Sequence, residues 1–220
     1  KGQVVKVRAD AFVNARRRGI LAVQLVDGDR LVSVQYTTGE DHILLVSRRG
    51  QGLRFREDEV RQMGRNTRGV RGLTLKSGDE IAGACIAPED GYVLLVTEYG
   101  SGKRTAFAEF TLHGRGGQGM RAFSVVEGAG GEEFGTGEVV AVVPVEDGDD
   151  FIAVSAQGVT IRLRAEDVSI QGRSARGVRV MNVTPPDYVV GVAKLDGADE
   201  DPETDAQDPE TDAQDSPTEE

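Results

Sequence analysis

Arginine recurs beside glycine at a fixed spacing along this chain, and this pairing suits the binding of phosphate groups. Arg donates bidentate, charge-assisted hydrogen bonds to phosphate oxygens, and Gly lets the backbone approach a phosphate closely and expose its N–H groups. Four turns carry the pattern, at Arg16–Gly19, Arg65–Arg71, His113–Gly119 and Arg173–Arg179. A single Arg-Gly turn is usually a solvated turn, but four in register predict contact with a polyanion whose phosphates are regularly spaced.

A second set of basic side chains lies on segments where apolar and basic residues alternate. Leu53 and Phe55 alternate with Arg54 and Arg56, and two further segments repeat this order. A period of two predicts β-strands with the apolar side chains inward and the guanidinium groups outward. The candidate phosphate-binding residues are therefore Arg16, Arg17, Arg18, Arg54, Arg56, Arg65, Arg68, Arg71, Lys103, Arg104, Arg115, Arg121, Arg162, Arg164, Arg173, Arg176 and Arg179.

Motifs for other chemistries are weak. Residues Gly114–Gly119 satisfy G-x-G-x-x-G, the dinucleotide fingerprint, but the residues that follow predict a strand rather than the helix that this fingerprint needs. The two histidines, His42 and His113, form no metal-ligand or catalytic pattern with the single Cys85. Few aromatic residues accompany the arginines, which argues against base stacking on a single strand. We therefore expect no catalytic residue, no metal site and no cofactor in this chain.

The basic residues sit on a unit of about fifty residues that recurs along the chain. The units span residues 1–40 in part, 41–91, 92–149 and 150–195, and the third carries an insertion within Gly128–Glu138. In the second unit the predicted strands are Ile43–Val46, Leu53–Arg56, Val70–Leu75 and Ile81–Ile86, with one helical turn near Glu57–Gln62. Short, evenly spaced strands and 29 glycines predict an all-β protein built as a ring of four-stranded blades.

The charge distribution follows the repeat. The chain has a formal net charge of −11, but the basic residues concentrate in one half of each unit, so stacked units would present a continuous positive track. Residues 196–220 hold 12 acidic residues and no basic residue, and they contain a tandem acidic heptad. Such a composition predicts a disordered acidic tail. It serves either to keep the protein soluble or as a flexible polyanion that competes for the basic track.

Composition also bears on compartment. The single Cys85 excludes an internal disulfide and is typical of a reducing compartment. No apolar stretch reaches the roughly 18–20 residues that would span a bilayer, so we expect no membrane partner. The sequence shows no signal peptide and starts without Met inside a repeat, so we expect a piece of a longer protein.

Several stretches of the chain match a known family in order and at the right spacing. Val60–Gly64, Asn66–Gly72 and Gly102–Thr105 resemble the C-terminal domain of the DNA gyrase A subunit, and the resemblance covers residues 1–195. It implies a β-pinwheel, a propeller-like disc whose blades exchange strands with their neighbours. It also implies that duplex DNA wraps around the basic rim, so that the enzyme introduces negative supercoils with ATP.

The family's defining box, Gln-Arg-Arg-Gly-Gly-Lys-Gly, belongs to a first blade that this sequence does not include. His113–Gly119 resembles that box, with Arg115, Gly116, Gly117 and Gly119 in place, Gly114 where the box has Arg, and Gln118 where it has Lys. The resemblance therefore implies a secondary box on a later blade.

The resemblance further implies partners for this chain. These are double-stranded DNA, the gyrase B subunit and the rest of the gyrase A subunit in a heterotetramer, located in the cytoplasm at the nucleoid. The cleavage tyrosine, Mg and the ATP site would lie elsewhere in that holoenzyme. Two alternatives stay open: the equivalent domain of topoisomerase IV, which binds DNA without strong wrapping, and a propeller-like scaffold for protein partners.

Overall fold

A computed structural model of the chain describes residues 1–15, 17–126 and 135–195. The strands are β1 (Gln3–Val4), β2 (His42–Ser47), β3 (Gln51–Arg56), β4 (Val70–Arg71), β5 (Ile81–Ile86), β6 (Tyr92–Thr97), β7 (Ser101–Ala106), β8 (Met120–Arg121), β9 (Val139–Val145), β10 (Asp150–Ser155), β11 (Thr160–Arg164), β12 (Val178–Arg179) and β13 (Val189–Leu195). Single 3₁₀ turns lie at Ala9–Phe12, Glu57–Glu59, Phe107–Glu109 and Ala165–Asp167. None of the helical segments seen in these ranges is long or apolar enough to cross a membrane.

The strands form antiparallel sheets that share members between units. One sheet has the order β5-β2-β3-β8 and the next has the order β9-β6-β7-β12. In each, three strands belong to one unit and the outer strand comes from the following unit. β4 of the second unit pairs with β1 of the first in the same way. The prediction of an all-β array of four-stranded, strand-exchanging blades is therefore confirmed.

The blades at the two ends of the described chain are incomplete. The last sheet has three strands, in the order β11-β10-β13. Residues 13–40 of the first unit form no strand in the part of the chain that is described. In the other units the strand at the position of Leu31–Tyr36 pairs with the strand that opens the unit, as β5 pairs with β2. In the first unit Leu31, Val34 and Tyr36, at this position, are exposed.

The third strand of the predicted unit is shorter than expected. Residues Val70–Leu75 were predicted to be one strand, but β4 contains only Val70 and Arg71. Beyond it the chain turns inward, and Leu73 is 1% exposed. The strand ends where the N–H groups of Gly72 and Leu73 both donate to the carbonyl of Gly2, at 2.7 and 3.2 Å, so the regular ladder stops. The predicted acidic tail lies outside the described residues, as does most of the predicted insertion in the third unit.

The core lies between neighbouring blades rather than within one sheet. Leu44 and Cys85 of the second unit pack with Phe107, Phe110 and Phe123 of the third in one buried cluster. Full burial of a large apolar side chain stabilises a fold by about 1.5–3 kcal/mol, so this cluster joins the two blades firmly. Burial also raises the pKa of the Cys85 thiol to about 12, which leaves it unreactive.

Glycines at the hairpin turns allow the strand exchange. Gly50 and Gly100 have φ of 77° and 76°, a region that disfavours other residues. The carbonyl of Gly100 accepts hydrogen bonds from the N–H groups of Val180 and Met181 in the following unit, at 2.8 and 3.2 Å. A Cβ atom on Gly100 would overlap the carbonyl oxygen of Met181. The glycine register seen in the sequence is thus a packing requirement between blades.

Candidate nucleic-acid interface

Three exposed arginines occupy equivalent places on the exchanged strands. Arg71, Arg121 and Arg179 are the second residues of β4, β8 and β12, and they pair with Gln3, Gln51 and Ser101 of the preceding units. Their guanidinium groups make no hydrogen bond or ion pair with any part of the protein that the structure describes. Each blade edge therefore presents one guanidinium group at the same position, as a regularly spaced polyanion requires.

Further exposed arginines precede these strands in the turns. Arg68 and Arg176 lie three residues before Arg71 and Arg179, and both are exposed. Arg17 and Arg18 are exposed in the equivalent turn of the first unit, whereas Arg16 lies outside the described residues. We define the rim as the exposed positively charged edge formed by Arg17, Arg18, Arg68, Arg71, Arg121, Arg176 and Arg179.

In the turns of the second, third and fourth units, the first arginine contacts the protein instead of lying on the rim. Arg65, Arg115 and Arg173 are half-buried. The guanidinium group of Arg65 donates to the carbonyl of Leu21 at 2.9 Å, and Arg115 and Arg173 donate to the carbonyls at the equivalent positions one unit back. These arginines fasten each turn to the preceding unit. They were predicted to bind phosphate alongside the rim residues, and the sequence pattern does not separate the two roles.

Two glutamates complete this fastening, and sequence reasoning missed them. Oε2 of Glu59 accepts the backbone N–H of Arg115 at 2.7 Å. Oε2 of Glu109 accepts the backbone N–H of Arg173 at 3.1 Å. Because carboxylates do not bind phosphate, these residues attracted no attention as site residues. The signal that could have found them was their recurrence at the same place in successive units, just after the strand that follows each hairpin glycine.

Three candidate phosphate-binding residues are buried, so the expectation that they face solvent is wrong. Arg54 is 5% exposed, Arg104 is 4% exposed and Lys103 is 0% exposed. Arg54 donates to the carbonyl oxygens of Ala87, Pro88 and Phe107 at 2.9–3.1 Å, and burial lowers its pKa. The polar face of β3 is covered by backbone from its own unit and from the following one, and this backbone supplies carbonyl acceptors in place of water. Alternation identified the strand but not what covers its second face.

Arg104 is held in the same way as Arg54. Its Nε donates to the carbonyl of Val168 at 2.8 Å, and its guanidinium group pairs with Asp147. The guanidinium carbon also lies 5.0 Å from the centre of the Tyr92 ring, a cation–π distance. Arg104 therefore joins the third unit to the fourth and does not belong to the rim.

A further three candidates are exposed but engaged with acidic neighbours. Arg56 pairs with Asp58 at 2.9 Å, Arg162 with Asp150 at 2.6 Å, and Arg164 with Glu166 at 3.3 Å. The hydrogen bond from Arg56 lowers the pKa of Asp58. Exposed pairs of this kind contribute little to stability, but each carboxylate partly neutralises the arginine beside it. Phosphate contact by these three remains a prediction.

The box-like turn of the third unit uses its glycines in two ways. Gly116 has φ of 83° and its N–H donates to the carbonyl of Gly72 at 2.7 Å, so this part of the turn rests on the preceding unit. At Gly119 a Cβ atom would overlap the carbonyl oxygen of Gly52. The N–H groups of Gly117 and Gln118, both exposed, have no protein acceptor in the described residues. This middle part of the turn can therefore offer N–H groups to a phosphate.

Buried Lys103 gives the fold a pH dependence whose sign can be worked out. Burial lowers its pKa from an ordinary 10.5 to about 8. Between these pH values the unfolded chain binds more protons than the folded chain, so the free energy of unfolding rises with pH. Relative to Lys103→Met, which cannot titrate there, we expect the wild type to gain about 1 kcal/mol from pH 7 to pH 9. Urea unfolding at both pH values measures this, and a falling difference would contradict it.

The chain is similar in sequence to a known protein family. Residues 1–38, 41–84, 91–132 and 149–196 match the family model described as DNA gyrase C-terminal domain, beta-propeller. The DNA gyrase A subunit of Treponema pallidum is 53% identical over 193 residues, which are 88% of this chain and 23% of that protein. The chain thus spans about a quarter of the length of such relatives.

Two solved structures have the same fold. The structure of a DNA gyrase A C-terminal domain superposes with a TM-score of 0.76 and 28% identity, covering 88% of this chain and 62% of the other. The C-terminal domain of a DNA topoisomerase IV superposes with a TM-score of 0.80 and 23% identity, covering 89% and 59%. At that lower identity the likeness shows a shared fold only.

Proposed function

The chain belongs to the DNA gyrase C-terminal domain family, and on this basis we propose that it binds and wraps duplex DNA along its rim. The observation that carries the proposal is the repetition of Arg71, Arg121 and Arg179 at the same place on successive exchanged strands. Equivalent charges on successive blades follow a duplex that curves around the outside of the array. An isolated cluster of charges would bind DNA without bending it.

The energetics favour wrapping by many weak contacts. Smooth bending of a 20–30 bp site by 40–90° costs of order 1–6 kcal/mol. Each neutralised phosphate releases counterions. For a log–log slope of about 0.9 per contact, each contact makes binding about eightfold stronger at 0.1 M salt than at about 1 M salt. At about 1.2 kcal/mol per contact, a rim that engages about five phosphates offsets even the upper end of this bending cost at moderate salt. Sequence preference should come mainly from DNA deformability, since the proposed contacts are to phosphates, which carry no sequence information.

At the level of the whole enzyme, we propose that the chain is part of the DNA gyrase A subunit. It would act with the gyrase B subunit and the rest of the A subunit in an ATP-dependent type II topoisomerase that introduces negative supercoils in the cytoplasm, at the nucleoid. The membership of the family and the 53% identical relative support this assignment. The contribution of the chain is to hold DNA in a curve, while DNA cleavage and ATP hydrolysis belong to other parts of the enzyme.

Binding and wrapping are tested by two measurements on the 220-residue chain. The affinity for a 40-bp duplex is measured across a salt series, and a slope of about −4 or steeper is expected if four or more rim residues contact phosphates. The chain is then added to closed circular DNA that is relaxed by a type I topoisomerase. A stepwise change in linking number with protein concentration indicates wrapping. Binding without such a change would favour a topoisomerase IV-type role, and weak, salt-independent binding would refute both.

The third unit offers a gain-of-function prediction. Gln118 stands where the second and fourth units have Arg68 and Arg176. Gln118→Arg should add one phosphate contact, strengthening binding of duplex DNA about eightfold at 0.1 M salt and steepening the slope by about 0.9. Gln118→Glu is the matched control and should weaken binding. Equal affinities for the three proteins would remove this turn from the DNA path.

A further inference from the structure

Lys103 stands at a position that is apolar in every other unit. The equivalent residues are Val5, Leu53 and Ile161. Yet Lys103, which lies on β7, is 0% exposed and is itself one of the largest fully buried side chains. Burial of an ammonium group is unfavourable unless hydrogen bonds compensate for lost water. Its partners therefore indicate what the lysine contributes.

Those partners belong to the following unit. The ammonium group of Lys103 donates to the carbonyl oxygens of Gly172 and Arg173, both at 2.7 Å. Two residues along β7, the hydroxyl of Thr105 donates to the carbonyl of Gln171 at 2.9 Å. Side chains of β7 therefore bind three consecutive carbonyls, those of residues 171–173, where the turn Gly172–Gly177 begins. In the second unit the residues equivalent to Lys103 and Thr105 are Leu53 and Phe55, which have no side-chain donor.

Few charged groups face the ammonium group. Glu109, on the 3₁₀ turn after β7, favours the protonated form, while Arg173 in the held turn opposes it, and burial opposes it more strongly. On the remaining side the Nζ atom lies 5.1 Å from the centre of the Phe123 ring, where the ring face attracts a cation. The charge is held by carbonyl dipoles and one aromatic ring rather than by a direct ion pair.

The held turn carries the rim residues of the fourth unit. Arg176 lies within it and Arg179 lies on β12 two residues after its last glycine. Arg173 itself reaches back to the carbonyl of Arg121, so the turn is fastened from two directions. The second unit contacts the equivalent turn of the third unit without a buried ammonium group. The lysine contact is therefore specific to the junction between the third and fourth units.

We propose that Lys103 is a positioning residue for DNA binding, fastening the turn Gly172–Gly177 so that Arg176 and Arg179 meet the phosphates. The proposal rests on the DNA-wrapping function proposed above. Lys103 does not touch DNA in this account, because it is buried beneath the turn. Phosphates over the turn would favour the protonated ammonium group, so DNA binding and protonation of Lys103 support each other by linkage.

The test compares Lys103→Met with wild type in the 220-residue chain, and Leu53→Met is the matched control at the equivalent position. Lys103→Met keeps the apolar stem and removes the donors. We expect about tenfold weaker binding of a 40-bp duplex at 0.1 M salt, the equivalent of about one phosphate contact. We also expect faster amide hydrogen exchange over residues 172–179 in the absence of DNA. Leu53→Met should change neither quantity by more than about twofold.

Two further readouts separate positioning from general destabilisation. In a double-mutant cycle with Arg176→Gln and Arg179→Gln, the losses should be less than additive, because Lys103 acts through those arginines. Between pH 7 and pH 9.5 the wild-type affinity should fall several-fold, whereas Lys103→Met should bind with unchanged affinity over that range. Additive losses, or a pH dependence that persists in Lys103→Met, would overturn the proposal.

The two proposals fail in different ways. If the wild type does not bind duplex DNA at any pH, the proposed function fails, while hydrogen exchange still reports whether Lys103 orders the turn. If the wild type binds DNA and Lys103→Met binds equally well, only the positioning role is refuted.

Discussion

Replacement of Arg71, Arg121 and Arg179 together by glutamine is expected to weaken the binding of duplex DNA several hundredfold at 0.1 M salt. Each residue presents an exposed guanidinium group at the same place on an exchanged strand. Each lost phosphate contact lowers the affinity about eightfold at this salt and reduces the log–log salt slope by about 0.9, so three reduce it by about 2.7. The loss should be nearly the same for duplexes of different sequence, since phosphate contacts carry no sequence information. Fluorescence anisotropy with labelled 40-bp duplexes across a salt series measures both quantities.

The matched control removes the same number of charges from exposed strand positions. Arg56, Arg162 and Arg164 are exposed, but each is engaged with a carboxylate of its own unit. Their replacement by glutamine should weaken binding by less than about tenfold, because the acidic partners already reduce the positive field there. Comparable losses in the two triple variants would show that binding depends on net charge alone. A loss confined to one DNA sequence would contradict phosphate contact.

The second large effect is expected on folding. Gly100→Ala should lower the free energy of unfolding by about 2–5 kcal/mol. A left-handed backbone costs an L-residue about 1–2 kcal/mol, and Gly100 has φ of 76°. The new methyl group would also overlap the carbonyl oxygen of Met181 and disturb the two hydrogen bonds that join the third unit to the fourth. Overpacking of this kind adds about 1–3 kcal/mol. Thermal unfolding should shift down by roughly 10 °C.

Gly158→Ala is the control that measures the cost of the left-handed backbone alone, without overpacking. Gly158 occupies the equivalent turn of the last blade with φ of 87°, but no atom lies within 4 Å of a Cβ built there. It should therefore cost only about 1–2 kcal/mol, a downward shift of roughly 4 °C. Equal destabilisation by the two variants would mean that the strand exchange at Gly100 contributes nothing to stability.

Much of the architecture follows from local pattern. β5 spans the predicted range Ile81–Ile86, because an apolar run between turn residues leaves few alternatives to a buried strand. The hairpin glycines could also be located, since a positive φ restricts the residue type wherever the unit recurs. The equivalence of Arg71, Arg121 and Arg179 is likewise visible in the sequence, and it is what makes them a repeated surface.

Local patterns in the sequence were enough to establish that the chain is all-β, that it repeats, and that each repeat carries an arginine-rich turn. Which basic residues meet solvent was settled by the packing of the blades. Arg54, Lys103 and Arg104 resemble rim residues in the sequence, yet backbone from distant parts of the chain covers them, and Glu59 and Glu109 hold turns that lie a full repeat away. The physical reason is that periodicity states which way a side chain points within its own strand. Whether water, a carbonyl or another blade lies in that direction depends on chain segments far away in the sequence.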